Sequence, residues 1–302
     1  MTKEQEKLLK DYKKSNRVRK TQLIKKAGFR SETKYFEFLS YDPTKKVVKK
    51  TVPVKKIVAK KVVAKKVSKV PSEKTDYVIA FDTTGSMSSY IQSVKSHVET
   101  LVSNLLKNSS DLKIKIVAFG DYCDMRSATN FGNAYQESPL TDNKKVLIDF
   151  IKNAQNTGGG DNDEFYELVI KKINEETPWR NGKKAVLLIG DAPPHGVGYS
   201  CRGYIQGNTI DWRKEAQNAK KLGIQYDTLL IHKEIDWYKE LSQITGGASM
   251  VFANANKIST IIEGTVYARS SSTSYAKTMM SVNSSGDSEL IGAFKSLNTI
   301  LD

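Results

Sequence analysis

From Thr75 onward, short apolar runs alternate with longer segments whose apolar residues recur at helical spacing. The apolar runs predict strands, and their nearly continuous hydrophobicity is typical of strands covered on both faces of a sheet. The predicted strands cover residues 77–81, 112–119, 184–189, 224–231 and 248–252. The predicted helices cover residues 88–106, 143–153, 165–174, 212–221, 237–244 and 258–268. This alternation predicts the α/β fold class, with a doubly wound, mostly parallel sheet and helices on both faces.

The chain outside this alternating region divides into three further parts. Residues 1–44 have apolar positions that predict a small helical module. Residues 45–74 are predicted to be a linker, because paired lysines repel one another and keep the chain extended. Residues 75–268 are the main domain, and residues 269–302 are predicted to be a Ser-rich loop followed by a C-terminal helix near 288–301.

Positive charge is concentrated at the N-terminal end. Residues 1–75 contain 24 Lys and Arg against 7 Asp and Glu, a net charge of +17, whereas the rest of the chain has a net charge of −2. The linker could bind nucleic acid or another polyanion without a defined fold, because each neutralised phosphate releases counterions. A solvated tether explains the same lysines equally well. The lysines of the candidate polyanion-binding tract are Lys45, Lys46, Lys49, Lys50, Lys55, Lys56, Lys60, Lys61, Lys65 and Lys66.

The composition indicates in which part of the cell the protein is expected. No apolar stretch approaches the ~20 residues of a membrane span, and the first residues lack the apolar run of a secretory signal. An intracellular protein is therefore expected, in the cytoplasm or the nucleus. The two cysteines, Cys123 and Cys201, are too few for a disulfide framework or a four-cysteine zinc site. We expect both to be reduced and structural, with a single bridge as the alternative.

Three polar loops follow predicted strands or precede predicted helices. The first is "DTTGSM" at residues 82–87, the second is "TGGGDNDE" at residues 157–164, and the third begins with "GDAPP" at residue 190. In an open α/β sheet, ligands bind beyond the carboxyl ends of the strands, where these loops would meet. The first loop alone could equally be an ordinary helix N-cap. The candidate ligands are Asp82, Thr84, Ser86, Asp161, Glu164 and Asp191.

Carboxylate and hydroxyl oxygens without nitrogen or sulfur ligands suit a hard divalent cation. We expect Mg²⁺, with Mn²⁺ or Ca²⁺ as alternatives. The three histidines lack the spacing of a zinc hydrolase, so a surface or hydrogen-bonded role is expected for each.

With these three motifs, residues 76 to about 268 resemble the von Willebrand factor A domain family. "DTTGSM" is similar to the Asp-x-Ser-x-Ser motif of the family's metal-ion-dependent adhesion site, with Thr84 in the middle position. "GGGDNDE" and "LLIGDAPPH" resemble its second and third loops, most of all those of the cytoplasmic A domains found beside alpha-kinases. The second loop has Asp161 where a threonine is common. Thr157 and Asp163 are therefore additional candidates, as metal ligands or through water.

The resemblance implies a Rossmann-like fold and a metal-dependent protein-binding module. The cation would keep one position open for an acidic residue of a partner protein. We therefore expect no enzymatic activity.

Two alternatives of other classes remain. One is a nucleic-acid-associated protein that binds through residues 1–75, with the A domain as a recruiter. The other, ranked lower, is a metal-dependent phosphoester hydrolase built on Asp82 and Asp191. A phosphatase of that kind would need a second aspartate where this chain has Thr84, and no phosphate-binding Gly-x-x-x-x-Gly-Lys run occurs.

Overall fold

The computed structural model describes residues 74–201, 204–232 and 234–298. The predictions for residues 1–73, including the helical module and the lysine tract, lie outside the described residues. The strands are β1 (Thr75–Asp82), β2 (Leu112–Phe119), β3 (Tyr135–Glu137), β4 (Lys183–Gly190), β5 (Ile224–Ile231) and β6 (Ser249–Phe252). The helices are α1 (Ser88–Asn108), α2 (Lys144–Asn153), α3 (Tyr166–Glu176), α4 (Trp212–Lys221), α5 (Asp236–Thr245), α6 (Ile258–Ser270), α7 (Ser272–Ser285) and α8 (Ser288–Asn298).

Within these residues, the strands form one six-stranded sheet in the order β3-β2-β1-β4-β5-β6. Every neighbouring pair is parallel except β2 and β3, which are antiparallel. The predicted α/β fold class, a mostly parallel sheet with helices on both faces, is confirmed. The edge strand β3 was not predicted, because three residues, none of them fully buried, are too few to show a detectable alternation.

The strand order places a binding crevice beside β1. The chain moves from β1 outward to β2 on one side and later returns to β4 on the other side of β1. Such a reversal is a topological switch point, and ligands bind outside the carboxyl ends of the strands there. Asp82 is the last residue of β1, and Asp191 directly follows β4. The fold thus brings the first and third predicted loops to the same crevice.

Alternate residues of β1 enter two separate cores. Tyr77, Ile79 and Phe81 pack with helices α1, α2, α6, α7 and α8. Val78 and Ala80 pack on the opposite face with α3, α4 and α5. Because both faces of the strand are buried, β1 is apolar from Tyr77 to Phe81 and becomes polar again at Asp82, at the carboxyl edge of the sheet.

The C-terminal segment corrects the sequence prediction. The expected Ser-rich loop is wrong, because Ser272–Ser285 form helix α7. The Ser271 hydroxyl caps this helix by accepting a hydrogen bond from the Ser274 N–H. Tyr275 and Val282, which are two turns apart on one face of the helix, are both buried. Serine-rich composition lowers helix propensity, but burial of these two side chains outweighs it.

Helix α8 is expected to make a large contribution to stability. Phe294 is fully buried, and its ring lies so close to Gly264 that a Cβ there would be 2.2 Å from Cζ. Phe294→Ala should lower the free energy of unfolding by about 3–5 kcal/mol, because it removes the ring and leaves a cavity. Urea denaturation of the full chain measures this, with the exposed Lys277→Ala as the control, expected to stay within about 0.5 kcal/mol. Equal effects of the two substitutions would contradict the described packing.

Candidate metal centre

The first loop presents a buried carboxylate and a hydroxyl that act together. Asp82 is fully buried, and its Oδ1 accepts hydrogen bonds from the Thr84 N–H at 2.8 Å and the Thr84 hydroxyl at 2.7 Å. The alternative role of Thr84 as a helix N-cap is not what the structure shows, because its side chain caps no helix. Since the hydroxyl donates to Asp82, its lone pairs remain available to a cation.

Tyr166, the first residue of α3, holds the other oxygen of this carboxylate. Its hydroxyl donates to Asp82 Oδ2 at 2.8 Å. The hydroxyl also lies where a side chain at residue 190 would be, since a Cβ on Gly190 would come within 1.8 Å of it. Glycine at the end of β4 is therefore required for Tyr166 to reach Asp82.

Burial raises the pKa of Asp82 to about 7, although the hydrogen bonds from Thr84 and Tyr166 lower it. The negative charge of Asp191 raises this pKa further. Asp191 is half-buried at the end of β4. The two carboxylates therefore interact across the crevice, as two ligands of one cation would.

The second loop is tied to the first by its threonine and its glycines. The Thr157 N–H donates to the Thr83 carbonyl at 3.0 Å, and the hydroxyls of these two residues are 3.0 Å apart. Thr157 thus orients the first loop through its hydrogen bonds with Thr83. At Gly159, where φ is +72°, a Cβ would lie 2.9 Å from Glu164 Oε1 and 3.6 Å from Thr84 Cγ2. Gly159 therefore lies next to both candidate ligands.

Glu164 is the clearest sign of a cation. Its N–H donates to the Pro193 carbonyl at 2.9 Å, which joins the second loop to the third. The side chain is 5 % exposed, yet Oε2 has no hydrogen-bond partner. Burial, followed by the negative charges of Asp82, Asp121, Asp124 and Asp161, raises the pKa of Glu164 to about 10. A buried carboxylate among other carboxylates is expensive unless a positive charge joins them, so the donor set fits a divalent cation.

The other predicted ligands lie nearer the surface. Ser86 is exposed in the turn Gly85–Met87, and Asp161 is exposed as well. Asp161 accepts hydrogen bonds from the Tyr199 hydroxyl at 2.8 Å and from the Asp163 N–H at 3.0 Å. Asp163 is half-buried, and burial raises its pKa. The described contacts of Asp161 are therefore with the third loop and its own loop rather than with Asp82.

Sequence reasoning missed the acidic turn that follows β2. Asp121 and Asp124 form a reciprocal capping box around the turn Tyr122–Asp124. The Asp124 carboxylate accepts the N–H groups of Gly158 at 2.9 Å and Gly159 at 3.0 Å, so it shapes the second loop. The detectable signal was "GDYCD" directly after a strand, the same arrangement as in the other loops.

His195 in the third loop is buried, in keeping with the hydrogen-bonded role expected for it. Its Nε2 is 2.6 Å from Asp121 Oδ1, and the ring is stacked on Tyr199 with centroids 3.6 Å apart. Burial lowers the pKa of His195, but the hydrogen bond and the charge of Asp121 raise it overall. One ligand atom each from Asp121, Asp161 and His195 lies within 4.8 Å of the others, a spacing that could hold a metal ion. However, 2.6 Å is a hydrogen-bond distance, shorter than the ~3.3 Å between ligands of a tetrahedral ion with bonds of about 2 Å. We therefore interpret the group as an ion pair that ties loops together.

The buried carboxylate of Glu167 holds the third loop in place through hydrogen bonds. It accepts hydrogen bonds from the Tyr122 hydroxyl at 2.8 Å, the Asn208 side chain at 3.1 Å and the His195 N–H at 3.1 Å. Burial raises its pKa to about 7, although the hydrogen bond from Tyr122 lowers it.

The expectation of two reduced cysteines is wrong. Cys123 and Cys201 are joined by a disulfide across 78 residues of sequence. Counting cysteines could not reveal this bridge, because the fold alone brings the turn after β2 next to the loop after β4.

Tyr166→Phe should weaken metal binding without unfolding the domain. Loss of the hydroxyl frees Asp82 Oδ2 and removes the hydrogen bond that favours its charged form, so the affinity for Mn²⁺ should fall by about 10-fold. Calorimetric titration of the full chain with Mn²⁺ measures this. The matched control is Tyr226→Phe, which removes a buried hydroxyl bonded to Asn174 in the same core and should leave Mn²⁺ affinity unchanged. Similar losses in both variants would show that the effect is not specific to Asp82.

A family model for the von Willebrand factor type A domain matches residues 76–264. The chain belongs to this family. The prediction from the three loop motifs is thus confirmed. Domains of this family commonly bind proteins and often hold a divalent cation at the metal-ion-dependent adhesion site.

Two curated relatives contain a related segment. The alpha-protein kinase vwkA of Dictyostelium discoideum is 33% identical over 129 residues, which are 42% of this chain and 20% of that protein. The putative ariadne-like RING finger protein R811 of Acanthamoeba polyphaga mimivirus is 24% identical over 193 residues, 60% of this chain and 18% of that protein. This chain therefore matches about a fifth of the length of these relatives.

Two solved structures with a similar fold share little sequence identity with this chain. A von Willebrand factor type A protein from Catenulispora acidiphila is 13% identical, with a TM-score of 0.44, and the match covers 65% of this chain and 42% of that one. Proximal thread matrix protein 1 from the mussel byssus is 16% identical, with a TM-score of 0.48, over 66% of this chain and 46% of that one. In the part of the chain that the structure describes, no helix is long and apolar enough to cross a membrane.

Proposed function

We propose that the domain is a metal-dependent protein-binding module that captures an acidic residue of a partner through a divalent cation. The observation that supports this most is the buried, unpartnered Oε2 of Glu164 beside the fully buried Asp82. The cation would be held by Asp82, Thr84, Glu164 and Asp191, with Ser86 and Asp161 at the rim. We expect Mg²⁺, because all of these donors are oxygens.

The charge of the site supports capture of a carboxylate. A divalent ion at the crevice would attract one more anionic oxygen if its protein ligands leave a position open. Ser86 and Asp161 are exposed, so that side of the crevice faces solvent and a partner can reach it.

We propose that the domain binds rather than catalyses. The residue two positions after Asp82 is Thr84, whose hydroxyl is bonded to Asp82 and offers no second carboxylate as a general acid. His195, the buried histidine of the third loop, is paired with Asp121. We therefore expect neither group to transfer a proton to a phosphoester.

The test is affinity capture from a lysate with the full chain in about 0.5 M salt, which screens non-specific binding by the lysine tract. Capture should be lost with a chelator, restored by Mg²⁺, and abolished when one acidic residue of the captured protein is changed to its amide. Capture that is insensitive to the chelator would contradict the proposal. Chelator-insensitive binding of nucleic acid that disappears with salt would support the alternative role of residues 1–75.

A further inference from the structure

We propose that the Cys123–Cys201 disulfide is a redox control on the metal site, so that reduction of the bridge weakens cation binding. This inference rests on the proposed function. The bridge joins the turn after β2 to the later part of the third site loop, which follows β4. It therefore connects two of the segments whose positions define the crevice.

On the side of Cys123, the bridge supports the second site loop directly. A Cβ at Gly160 would lie 2.3 Å from Cys123 Sγ, so the backbone of the glycine run is in contact with the bridge. The next residue, Asp124, accepts the N–H groups of Gly158 and Gly159. Movement of Cys123 would therefore also move the glycine run, which precedes Glu164 in the second loop.

On the side of Cys201, the bridge holds Tyr199 in place. The Cys201 N–H donates to the Ile205 carbonyl at 3.1 Å. Two residues earlier, Tyr199 stacks on His195 and donates to Asp161 Oδ2 at 2.8 Å. The bridge thus secures the tyrosine that restrains Asp161 at the rim.

The two sulfur atoms differ in their accessibility. Cys201 is 5 % exposed, whereas Cys123 is half-buried, so an external thiolate is expected to attack at Cys123 rather than at Cys201. A dithiol reductant breaks the bond in two steps. One of its thiolates attacks Cys123 Sγ, forming a mixed disulfide and expelling Cys201 as a thiolate, and the second thiolate of the reductant then expels Cys123. Two electrons pass to the protein sulfurs, the reductant leaves as a disulfide, and the two protons of the dithiol end on the cysteines.

Reduction removes a covalent tie but leaves the sheet unchanged. The bridge restricts the loop after β4, and its loss gives that loop more conformations. The cation ligands on β1 remain, but the second and third loops lose part of their support. Supporting residues around a metal site typically change its affinity 10- to 100-fold, so reduction should weaken Mn²⁺ binding by about 10-fold.

The experiment compares the oxidised and the reduced full chain, with the reductant removed under anaerobic conditions before titration with Mn²⁺. Alkylation and mass spectrometry should show no free thiol in the oxidised form and two in the reduced form. The dissociation constant should rise by about 10-fold on reduction and recover on reoxidation. The Cys123→Ser/Cys201→Ser variant should bind with the weaker affinity under both conditions.

Three results would overturn the inference: equal affinities in the two states, free thiols after oxidation, or a redox response that persists in the serine variant. If the oxidised chain binds no Mn²⁺, the proposed function itself fails, which is distinguishable from equal binding in both states. Should the serine variant not fold, hydrogen exchange of wild-type residues 157–164 and 196–201 still decides the matter. Exchange there should become faster on reduction, and unchanged exchange would overturn the inference.

Discussion

The Asp82→Asn variant will keep its fold and lose the stabilisation that Mn²⁺ or Mg²⁺ produces in the wild type. The amide oxygen can still accept the hydrogen bonds from Thr84, so the loop should keep its shape. The substitution removes the negative charge at the end of β1, and a cation among neutral oxygens is bound far more weakly. We expect metal affinity to fall by at least about 100-fold. Loss of a residue that only supports a ligand lowers metal affinity by about 10- to 100-fold, and Asp82 is proposed to be a ligand itself. Thermal unfolding of the full chain with and without metal measures the loss.

Asp142→Asn is the matched control, because Asp142 is exposed on the loop before α2 and distant in sequence from all three site loops. It should show the wild-type shift of the melting temperature. If Asp82→Asn also keeps that shift, or if the wild type shows none, the assignment of the metal site is wrong.

The Glu164→Gln variant will be more stable than the wild type without metal and will gain less from metal. In the wild type, Oε2 is buried without a partner among other carboxylates. With a pKa of about 10, the Glu164 side chain must hold a proton in the folded state at pH 8, whereas glutamine is neutral without one and its amide N–H₂ can donate to those carboxylates. We expect the free energy of unfolding at pH 8 to rise by about 2 kcal/mol. The same substitution removes a cation ligand, so the two effects have opposite signs.

The pH dependence follows from the raised pKa of Glu164, about 10 in the folded chain. Between the ordinary pKa of a glutamate, about 4.3, and this value, the folded state retains a proton that the unfolded state releases. This group therefore makes the metal-free domain less stable as pH rises through that range, and Glu164→Gln should remove that slope. Urea denaturation from pH 5 to pH 9 measures it.

Glu175→Gln is the control, since Glu175 is an exposed residue of α3 that pairs with Lys171. It should change stability by less than about 0.5 kcal/mol at any of these pH values. A Glu164→Gln variant that is destabilised without metal, and that keeps its metal response, would show that this side chain has another role.

The sequence predicted more of the candidate site than any one motif could. Each of the three loops contains carboxylate or hydroxyl side chains that the packing of the fold does not require. A carboxylate directly after a fully apolar strand, as at Asp82 and Asp191, has no role in the core. The run "GDYCD" after β2 has the same pattern, and its Asp121 and Asp124 are site-supporting residues that the sequence prediction did not include. Asp161 was predicted from the acidic residues that follow the glycine run of the second loop, and its hydrogen bonds place it with Tyr199 and Asp163.

Local sequence determined five of the six strands of the described residues, most of their helices and the three predicted polar loops, because hydrophobic period and strand ends are properties of neighbouring residues. Tertiary structure alone decided the rest. Helix α7 forms from serine-rich sequence because Tyr275 and Val282 have a core to enter. The Cys123–Cys201 bridge, the His195–Asp121 pair and the isolated Oε2 of Glu164 each depend on which loops meet at the switch point of the sheet. These contacts join residues that are far apart in the chain, so the pattern of neighbouring residues cannot predict them.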